Sequence, residues 1–245
     1  QTHFENYALE VCDYLNLNES NLAVDIGSND GTLLGYFKKN GLKVLGIEPS
    51  TRAAKYANDN KIETIEDFFD DNVATKIVNK YGKASLITIN NLFANVDSLK
   101  EFIESLDILL DDDGVVVIES SYLLDMINNM IFDFIYHEHL SYFSILPLVN
   151  FFNQFNIRLI HVHRIATKGG SLRYFWARNE SKWVVNKSVS QLTSKELLAK
   201  INPRKFVEYN NQINIIKVDL KNFLDKYKGC KIVGYGASAT STTLI

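Results

Sequence analysis

The apolar positions at the start of the chain follow a helical spacing. They recur three or four residues apart, at Phe4, Tyr7, Ala8, Val11, Cys12 and Leu15. This spacing predicts an amphipathic helix over 4–17, with its apolar face on a sheet.

Beyond residue 20 the pattern changes to short β-rich runs. They lie at 22–27, 43–48, 62–66, 85–90, 114–120, 159–165 and 172–178. Helix-sized segments separate the first five runs, near 32–40, 51–60, 70–80 and 97–110. Such alternation predicts a parallel sheet with right-handed crossovers. Residues 166–170 are too few for a crossover, so the last two runs should form a hairpin with one antiparallel strand.

After residue 179 the chain changes character. Segments 194–200 and 207–227 have helical patterns, and 231–237 looks like a new strand that runs into a Gly-rich turn. We therefore predict a first domain over 1–180, followed by a helical linker and the start of a second domain over 181–245. Because the sequence stops inside what should be the next helix, we expect it to be part of a longer protein.

Composition narrows the possible partners. Hydrophobic residues make up 46% and charged residues 22%, and the net charge of −3 comes with Lys and Arg spread along the chain. This argues against a nucleic-acid partner. No apolar run is long enough to cross a bilayer and no signal peptide is visible, so we expect a cytoplasmic protein without a membrane partner. The two cysteines are too far apart in the sequence to indicate a zinc site. We also expect a monomer or weak homo-oligomer.

A Gly-rich loop follows the first β-rich run. Asp25 ends the run, and the loop carries Gly27, Ser28, Asn29 and Gly31. Glycines let the backbone approach a ligand, and the GxxxG spacing differs from the GxGxxG that cradles a pyrophosphate. The loop suits a cationic amino acid moiety beside the Asp25 carboxylate, although a simple tight turn stays open.

Acidic residues also end the next two β-rich runs. Glu48, followed by Pro49, stands about twenty residues after Asp25, where an acid accepts hydrogen bonds from adenosine ribose hydroxyls. Asp67 and Phe68 suit an adenine amine and ring face. A solvated charge at Glu48 and a core-packing pair at 67–68 are the alternatives.

The fourth run ends in Asn90 and Asn91, with Phe93 and Asn95 close behind. Ligands of open α/β sheets bind outside the carboxyl ends of the strands, where all these clusters map. Together they predict an S-adenosylmethionine site on a class I methyltransferase sheet, mostly parallel with one antiparallel edge strand. Another doubly wound fold stays possible.

The segment 132–143 carries four titratable side chains in a row, at Tyr136, His137, Glu138 and His139. Histidines two residues apart point away from each other on a strand and share no helix face, which disfavours a metal site. An acid–base site suits them better, since histidine exchanges protons near neutral pH. A solvent-facing polar loop is the alternative.

Several strings of the chain resemble the bacterial sugar C-methyltransferases that act on nucleotide-linked 4-keto-6-deoxyhexoses. They occur in the family's order: VDIGSNDGTLL, GIEPS, NNLFANVDSL, IYHEHLSYFS, GGSLR and GYGASATSTTL. The resemblance implies a Rossmann-like S-adenosylmethionine domain, with catalysis in the YHEH loop. It implies that His139 is the base that removes a sugar proton, and that Tyr136 and Glu138 bind the sugar and stabilise the enolate.

The resemblance also implies a second Rossmann-like domain that begins around Tyr235 and helps to hold the nucleotide sugar. We predict substrate contacts at Asn95, His137, Arg173 and Tyr235. Some relatives have His where Asn95 stands, so a second proton-transfer role there is in doubt. Members normally begin with a cysteine-rich zinc domain, which this sequence lacks.

Other functions remain open at this point. They are an O- or N-methyltransferase on a sugar or another small metabolite, and a binding module without catalysis. The GxxxG spacing disfavours a nicotinamide-dependent oxidoreductase.

Overall fold

The computed structural model describes residues 2–236, 238 and 240–244. The strands are β1 (Leu22–Ile26), β2 (Lys43–Ile47), β3 (Thr64–Ile65), β4 (Ala84–Asn90), β5 (Leu110–Ser121), β6 (Ile157–Ile165) and β7 (Ser171–Arg178). The helices are α1 (Thr2–Leu15), α2 (Thr32–Lys39), α3 (Thr51–Asp59), α4 (Asp71–Tyr81), α5 (Leu99–Leu109), α6 (Leu123–Asn128), α7 (Ile145–Phe152), α8 (Lys187–Ala199), α9 (Pro203–Asp225) and α10 (Ser241–Leu244). The predicted alternation of strands and helices over the first five runs is therefore confirmed.

Within the described residues these strands form one sheet in the order β3-β2-β1-β4-β5-β7-β6. Strands β1 to β5 pair in parallel, and β7 runs antiparallel to both β5 and β6. The strand order reverses between β1 and β4. At such a switch point the connections leave in opposite directions, so a crevice opens at the carboxyl ends of the strands.

The predicted α/β class, with a mostly parallel sheet and one antiparallel strand, is confirmed. Residues 166–170 form the predicted hairpin connection between β6 and β7. The antiparallel strand lies one position in from the edge, because β7 returns into the space beside β5 and leaves β6 outermost. There β7 makes ladder hydrogen bonds on both sides, which suits its almost fully buried sequence.

Each face of the sheet has its own apolar core. Side chains alternate along β5, so that Val115 and Val117 join the core under α1 and α2, whereas Val116 and Ile118 join the core under α4, α5 and α7. Helices on both faces are what a parallel sheet needs to bury its two surfaces. The polar residues at the carboxyl ends of the parallel strands are not part of either core.

The predicted helices at 194–200 and 207–227 are confirmed as parts of α8 and α9. The carboxylate of Glu196, buried in α8, accepts hydrogen bonds from the backbone N–H groups of Ile145 (2.7 Å) and Leu146 (3.1 Å) at the start of α7. Helix α8 thus packs on the first domain and caps α7. The domain boundary near residue 180 stays a prediction.

The predicted strand at 231–237 is wrong as far as it is described. Residues 231–236 have no regular structure, and Ala237 lies outside the described residues. Ile232 and Val233 are exposed, and no described strand lies beside them. Within the described part of the chain, no helix has both the length and the apolar character needed to cross a membrane.

Candidate active site

A cavity of about 810 Å³ opens at the carboxyl ends of β1, β2 and β4, at the switch point of the sheet. This volume is in the range of small-molecule and cofactor sites, roughly 300–1,000 Å³. The predicted cofactor residues in its lining are Asp25, Gly27, Ser28, Asn29, Glu48, Pro49, Asp67, Phe68, Asn90 and Asn91. Gly31 and Phe93 are absent from this lining.

The loop after β1 is fixed to the end of β2. The backbone N–H groups of Gly27 and Ser28 both donate to the carbonyl of Ile47, at 2.8 and 3.1 Å. Gly27 and Gly31 have φ values of 74° and 75°, a left-handed conformation that favours glycine. A Cβ on Gly31 would lie 2.9 Å from Cγ2 of Ile62, so Gly31 shapes the loop without lining the cavity.

Asp25 is the buried acid of the cavity. Its carboxylate accepts hydrogen bonds from the Thr88 hydroxyl (2.6 Å) and from Asn90 Nδ2 (3.3 Å). Burial raises the pKa of Asp25 to about 7; these hydrogen bonds oppose the rise and repulsion from Glu48 adds to it. A cationic group beside Asp25 would favour its ionised form, so the site is suited to a positively charged ligand.

Glu48 is held at the tip of β2 by backbone donors. Its Oε2 accepts from the N–H of Asn29 and its Oε1 from the N–H of Ser50, both at 2.9 Å. An ionised carboxylate has about four acceptor positions, so each oxygen can still accept a bond from a ligand hydroxyl. Free acceptor positions are what the predicted role at a ribose requires, and that role stays a prediction.

Asp67 and Phe68 stand at the rim of the cavity. The Asp67 carboxylate accepts the backbone N–H of Phe68 at 2.9 Å, and the Phe68 ring is 76% exposed. A large aromatic ring in water at a cavity mouth is suited to cover the flat face of a base.

Three buried side-chain oxygens bear on whether the cavity fits a polar ligand. Ser28 Oγ, Asn90 Oδ1 and Asn95 Oδ1 are buried without a hydrogen-bond partner among the described residues. All three residues line the cavity. Buried polar atoms normally have partners, so these atoms fit a ligand with several polar groups, as S-adenosylmethionine has.

The segment 132–143, called the YHEH segment below, is tied to the loop after β4. The backbone N–H groups of Leu140 and Ser141 both donate to the carbonyl of Ala94, at 2.8 and 3.2 Å. The His139 N–H donates to the carbonyl of Tyr136 at 3.1 Å. These bonds hold the segment near the carboxyl end of β4, beside the cofactor cavity.

His139 has a defined orientation. Its Nδ1 lies 2.8 Å from the carbonyl oxygen of Phe134, and its ring stacks on the Phe134 ring at 5.8 Å between centroids. A carbonyl has no hydrogen to donate, so Nδ1 carries the hydrogen. Nε2 of the neutral ring then has a free lone pair and can act as a base.

His139 lines a small crevice of about 20 Å³ beside the cofactor cavity. His139, Phe134 and Tyr142 line it, together with Asn91. Asn91 also lines the cofactor cavity, so the two spaces share a wall. The structure therefore brings the end of β4 and the YHEH segment together.

Tyr136, His137 and Glu138, the other titratable residues of the row, are not part of the crevice lining. The Tyr136 ring lies 4.6 Å from the His139 ring, and desolvation followed by repulsion from Glu138 raises the pKa of Tyr136. His137 and Glu138 are exposed. Across the described ranges, no group of three or more His, Cys, Asp or Glu side chains is placed to hold a metal ion.

The prediction that Phe93 contacts the cofactor is wrong. Its side chain is fully buried, and its ring packs against the rings of Phe102, Phe143 and Phe152. The turn Phe93–Asn95 directs this ring into the core, where burial of a large apolar surface stabilises it. Asn95, predicted as a substrate contact, lines the cofactor cavity.

The prediction that Arg173 contacts the substrate is also wrong. Its guanidinium is buried, donates to Glu119 Oε2 (2.9 and 3.1 Å) and to Glu10 Oε2 (2.8 Å), and lies over the ring of Tyr7. These partners neutralise the cation and occupy its donors. The structure does not bring Tyr235 to the site either: its side chain is fully exposed.

Several residues near the site were not singled out from the sequence, among them the three that follow. Phe4 of α1 lines the cofactor cavity, and Lys168 lines the crevice. A Cβ on Gly46 would lie 2.5 Å from Ser28 Oγ, so Gly46 makes room for the loop. Only Gly46, a glycine next to a strand tip, left a signal in the sequence.

The strand order, the antiparallel β7 and the polar cavity at the switch point define a class I methyltransferase fold. Residues 4–162 match the family model of a methyltransferase domain, and residues 166–245 match that of a C-methyltransferase C-terminal domain. Because the first match covers more than half of the chain, the chain belongs to the methyltransferase-domain family. The chain thus contains an S-adenosylmethionine-dependent methyltransferase domain.

Individual relatives agree with this assignment. The chain is 29% identical over 241 residues to the C-methyltransferase NovU of Streptomyces niveus. The aligned region covers 97% of this chain and 57% of that protein. It therefore spans a little over half of this relative's length.

Solved structures show the same fold. An S-adenosylmethionine-dependent methyltransferase of Anabaena variabilis has a TM-score of 0.55 at 14% identity, covering 70% of this chain and 83% of its own. Magnesium protoporphyrin IX methyltransferase of Synechocystis was solved with bound S-adenosylhomocysteine. Its TM-score is 0.54 at 13% identity, and the match covers 71% of this chain and 83% of that one. At these identities the likeness concerns the fold alone.

Proposed function

We propose that this chain methylates a carbon next to the keto group of a nucleotide-linked 4-keto-6-deoxy sugar, through an enolate that His139 generates. The relative named as a C-methyltransferase and the matching C-methyltransferase C-terminal domain support methylation at carbon. The observation that carries the proposal is the free Nε2 of His139, in a crevice that shares Asn91 with the cofactor cavity.

The cavity residues hold the cofactor in this proposal. Glu48 accepts the ribose hydroxyls, Asp67 and Phe68 take the adenine, and Asp25 with the Gly-rich loop takes the amino acid end. When bound, S-adenosylmethionine supplies an electrophilic methyl group and a sulfonium charge. The carboxylates of Asp25 and Glu48 suit this positive charge.

His139 moves the proton. A keto group acidifies the neighbouring C–H, and Nε2 of His139 takes that proton while the C–H electron pair enters the enolate. The Nδ1–H of His139 keeps its bond to the Phe134 carbonyl, which orients the ring. Because the raised pKa of Tyr136 keeps its hydroxyl protonated, Tyr136 can donate a hydrogen bond to the sugar, and Glu138 assists in binding.

The test is the position of the transferred methyl group. The full-length protein is incubated with methyl-¹³C-labelled S-adenosylmethionine and a nucleotide-linked 4-keto-6-deoxyhexose, and the product is analysed by carbon NMR. We expect the label on a methyl group attached to a carbon beside the keto group, which the product retains. A label on oxygen or nitrogen would replace the proposal with an O- or N-methyltransferase, and absence of transfer despite cofactor binding would point to a binding module.

A further inference from the structure

Lys168 is a cation beside His139 that the mechanism above does not use. It lies in the turn between β6 and β7 and lines the same crevice as His139 and Phe134. Its Nζ is 5.9 Å from the centroid of the Phe134 ring, which stacks on His139. The crevice is about 20 Å³, enough for about one water molecule. A base and a cation around so small a space can reach adjacent atoms of one substrate group.

The turn fixes the position of Lys168. Lys168 has a φ of 54°, a left-handed conformation that costs free energy in a residue other than glycine. Asn129 Nδ2 donates to the carbonyl of Gly169 at 2.7 Å, which ties the turn to the end of α6. A Cβ on Gly170 would lie 2.4 Å from Cβ of Asp125, so the backbone is packed closely there. The backbone that carries the Lys168 side chain is therefore held in a defined position.

The charge of Lys168 is free for a ligand. The neighbouring cations Arg164 and Arg173 are paired with carboxylates, whereas no ion pair formed between described residues includes Lys168. The residue as a whole is exposed, but desolvation around its ammonium lowers the pKa of Lys168, against the attraction of Glu119. An anion at the crevice would compensate this desolvation.

Building on the proposed function, we propose that Lys168 is a further catalytic residue, whose ammonium donates a hydrogen bond to the keto oxygen of the sugar. As His139 Nε2 takes the proton, the C–H electron pair forms the C=C bond of the enolate and the C=O π pair moves onto this oxygen. Lys168 keeps its proton and stabilises the resulting negative charge.

The test measures deuterium exchange into the keto-sugar nucleotide in D₂O, with S-adenosylhomocysteine present, alongside kcat and KM for methyl transfer. Lys168→Met should slow exchange and lower kcat by about 10²–10³-fold, the usual cost of one oxyanion donor. Lys168→Arg keeps the charge and should recover at least tenfold of this loss. Lys200→Met is the matched control, because Lys200 is exposed, has a φ of 50° and lies at the end of α8. It should change both rates less than about twofold.

The outcomes separate this proposal from the one it builds on. S-adenosylhomocysteine affinity within about twofold of the unmodified protein shows that each variant is folded. Unchanged exchange and kcat in Lys168→Met would overturn the role of Lys168 and leave the proposed function standing. A raised KM with unchanged kcat would overturn it in favour of diphosphate binding. If the unmodified protein exchanges no deuterium, the proposed function fails, and this role fails with it.

Discussion

The cofactor cavity and the YHEH segment are built in different ways. Around the cavity, acidic residues sit at the tips of strands, and backbone donors or strand neighbours fix them, as at Glu48 and Asp25. The YHEH segment has little regular structure, and two carbonyl groups orient it: that of Ala94 for its backbone and that of Phe134 for His139. Cofactor binding and proton transfer thus depend on separate contacts, which mutation should separate.

The largest expected effect comes from His139→Gln. This variant removes the base and changes no side chain that lines the cofactor cavity, so kcat should fall by about 10²–10⁴-fold, the usual contribution of a general base. The affinity for S-adenosylhomocysteine, measured by calorimetric titration, should stay within about twofold. His163→Gln, at a histidine of β6 that pairs with Glu10, serves as the control and should retain full turnover. Parallel losses of turnover and cofactor affinity in His139→Gln would contradict the separation.

Glu48→Ala should show the opposite behaviour. It removes the acceptor for the ribose hydroxyls, and hydrogen bonds to charged groups contribute about 1.5–3 kcal/mol each, so S-adenosylhomocysteine should bind about 10–100-fold more weakly. At saturating cofactor, kcat should change less than about tenfold. Glu66→Gln, an exposed acid bonded to Thr51 outside the cavity, is the control and should bind normally. Unaltered affinity in Glu48→Ala would remove Glu48 from the cofactor site.

Asp25 should make cofactor affinity depend on pH. Its pKa of about 7 means that the carboxyl must lose a proton before it can pair with a cationic ligand. Affinity for S-adenosylhomocysteine should therefore rise between about pH 5 and 7, by up to tenfold per unit, and then level off. Asp25→Asn should flatten this dependence. A slope that persists in the variant would assign it to another group.

The raised pKa of Asp25 also affects stability. There rising pH is unfavourable, whereas it favours cofactor binding. The unfolded chain ionises Asp25 near 3.8 and the folded chain near 7, so between these values the folded state binds more protons. Its contribution to the free energy of unfolding should therefore decrease with rising pH, by up to about 1.4 kcal/mol per unit. In Asp25→Asn, thermal unfolding without ligand should lose this component.

Much of the cofactor cavity could be predicted from the sequence. The two-residue period of each strand and the spacing between strands along the chain determine which residues lie at a strand tip. Glu48 follows Asp25 by one βαβ unit, and parallel strands bring their carboxyl ends to the same edge. The pattern could not tell which tip residues face inward. Phe93 stands three residues beyond Asn90, yet its turn directs the ring into the core.

The rest depends on contacts between distant parts of the chain. Arg173 was predicted to contact the substrate, but Glu10 of α1, 163 residues away in the sequence, pairs with it. Lys168 was overlooked because only the hairpin turn brings it beside His139. The predicted strand at 231–237 has the right local composition, but a strand also needs a neighbour, and none is described there.

Deuterium exchange at the substrate carbon is the most direct test of carbon methylation by base catalysis. The keto-sugar nucleotide is incubated in D₂O with S-adenosylhomocysteine and either the unmodified protein or His139→Gln, and NMR follows the proton beside the carbonyl. The account predicts rapid exchange with the unmodified protein and about background exchange with the variant. Equal exchange in both, or methyl transfer without any exchange, would contradict it.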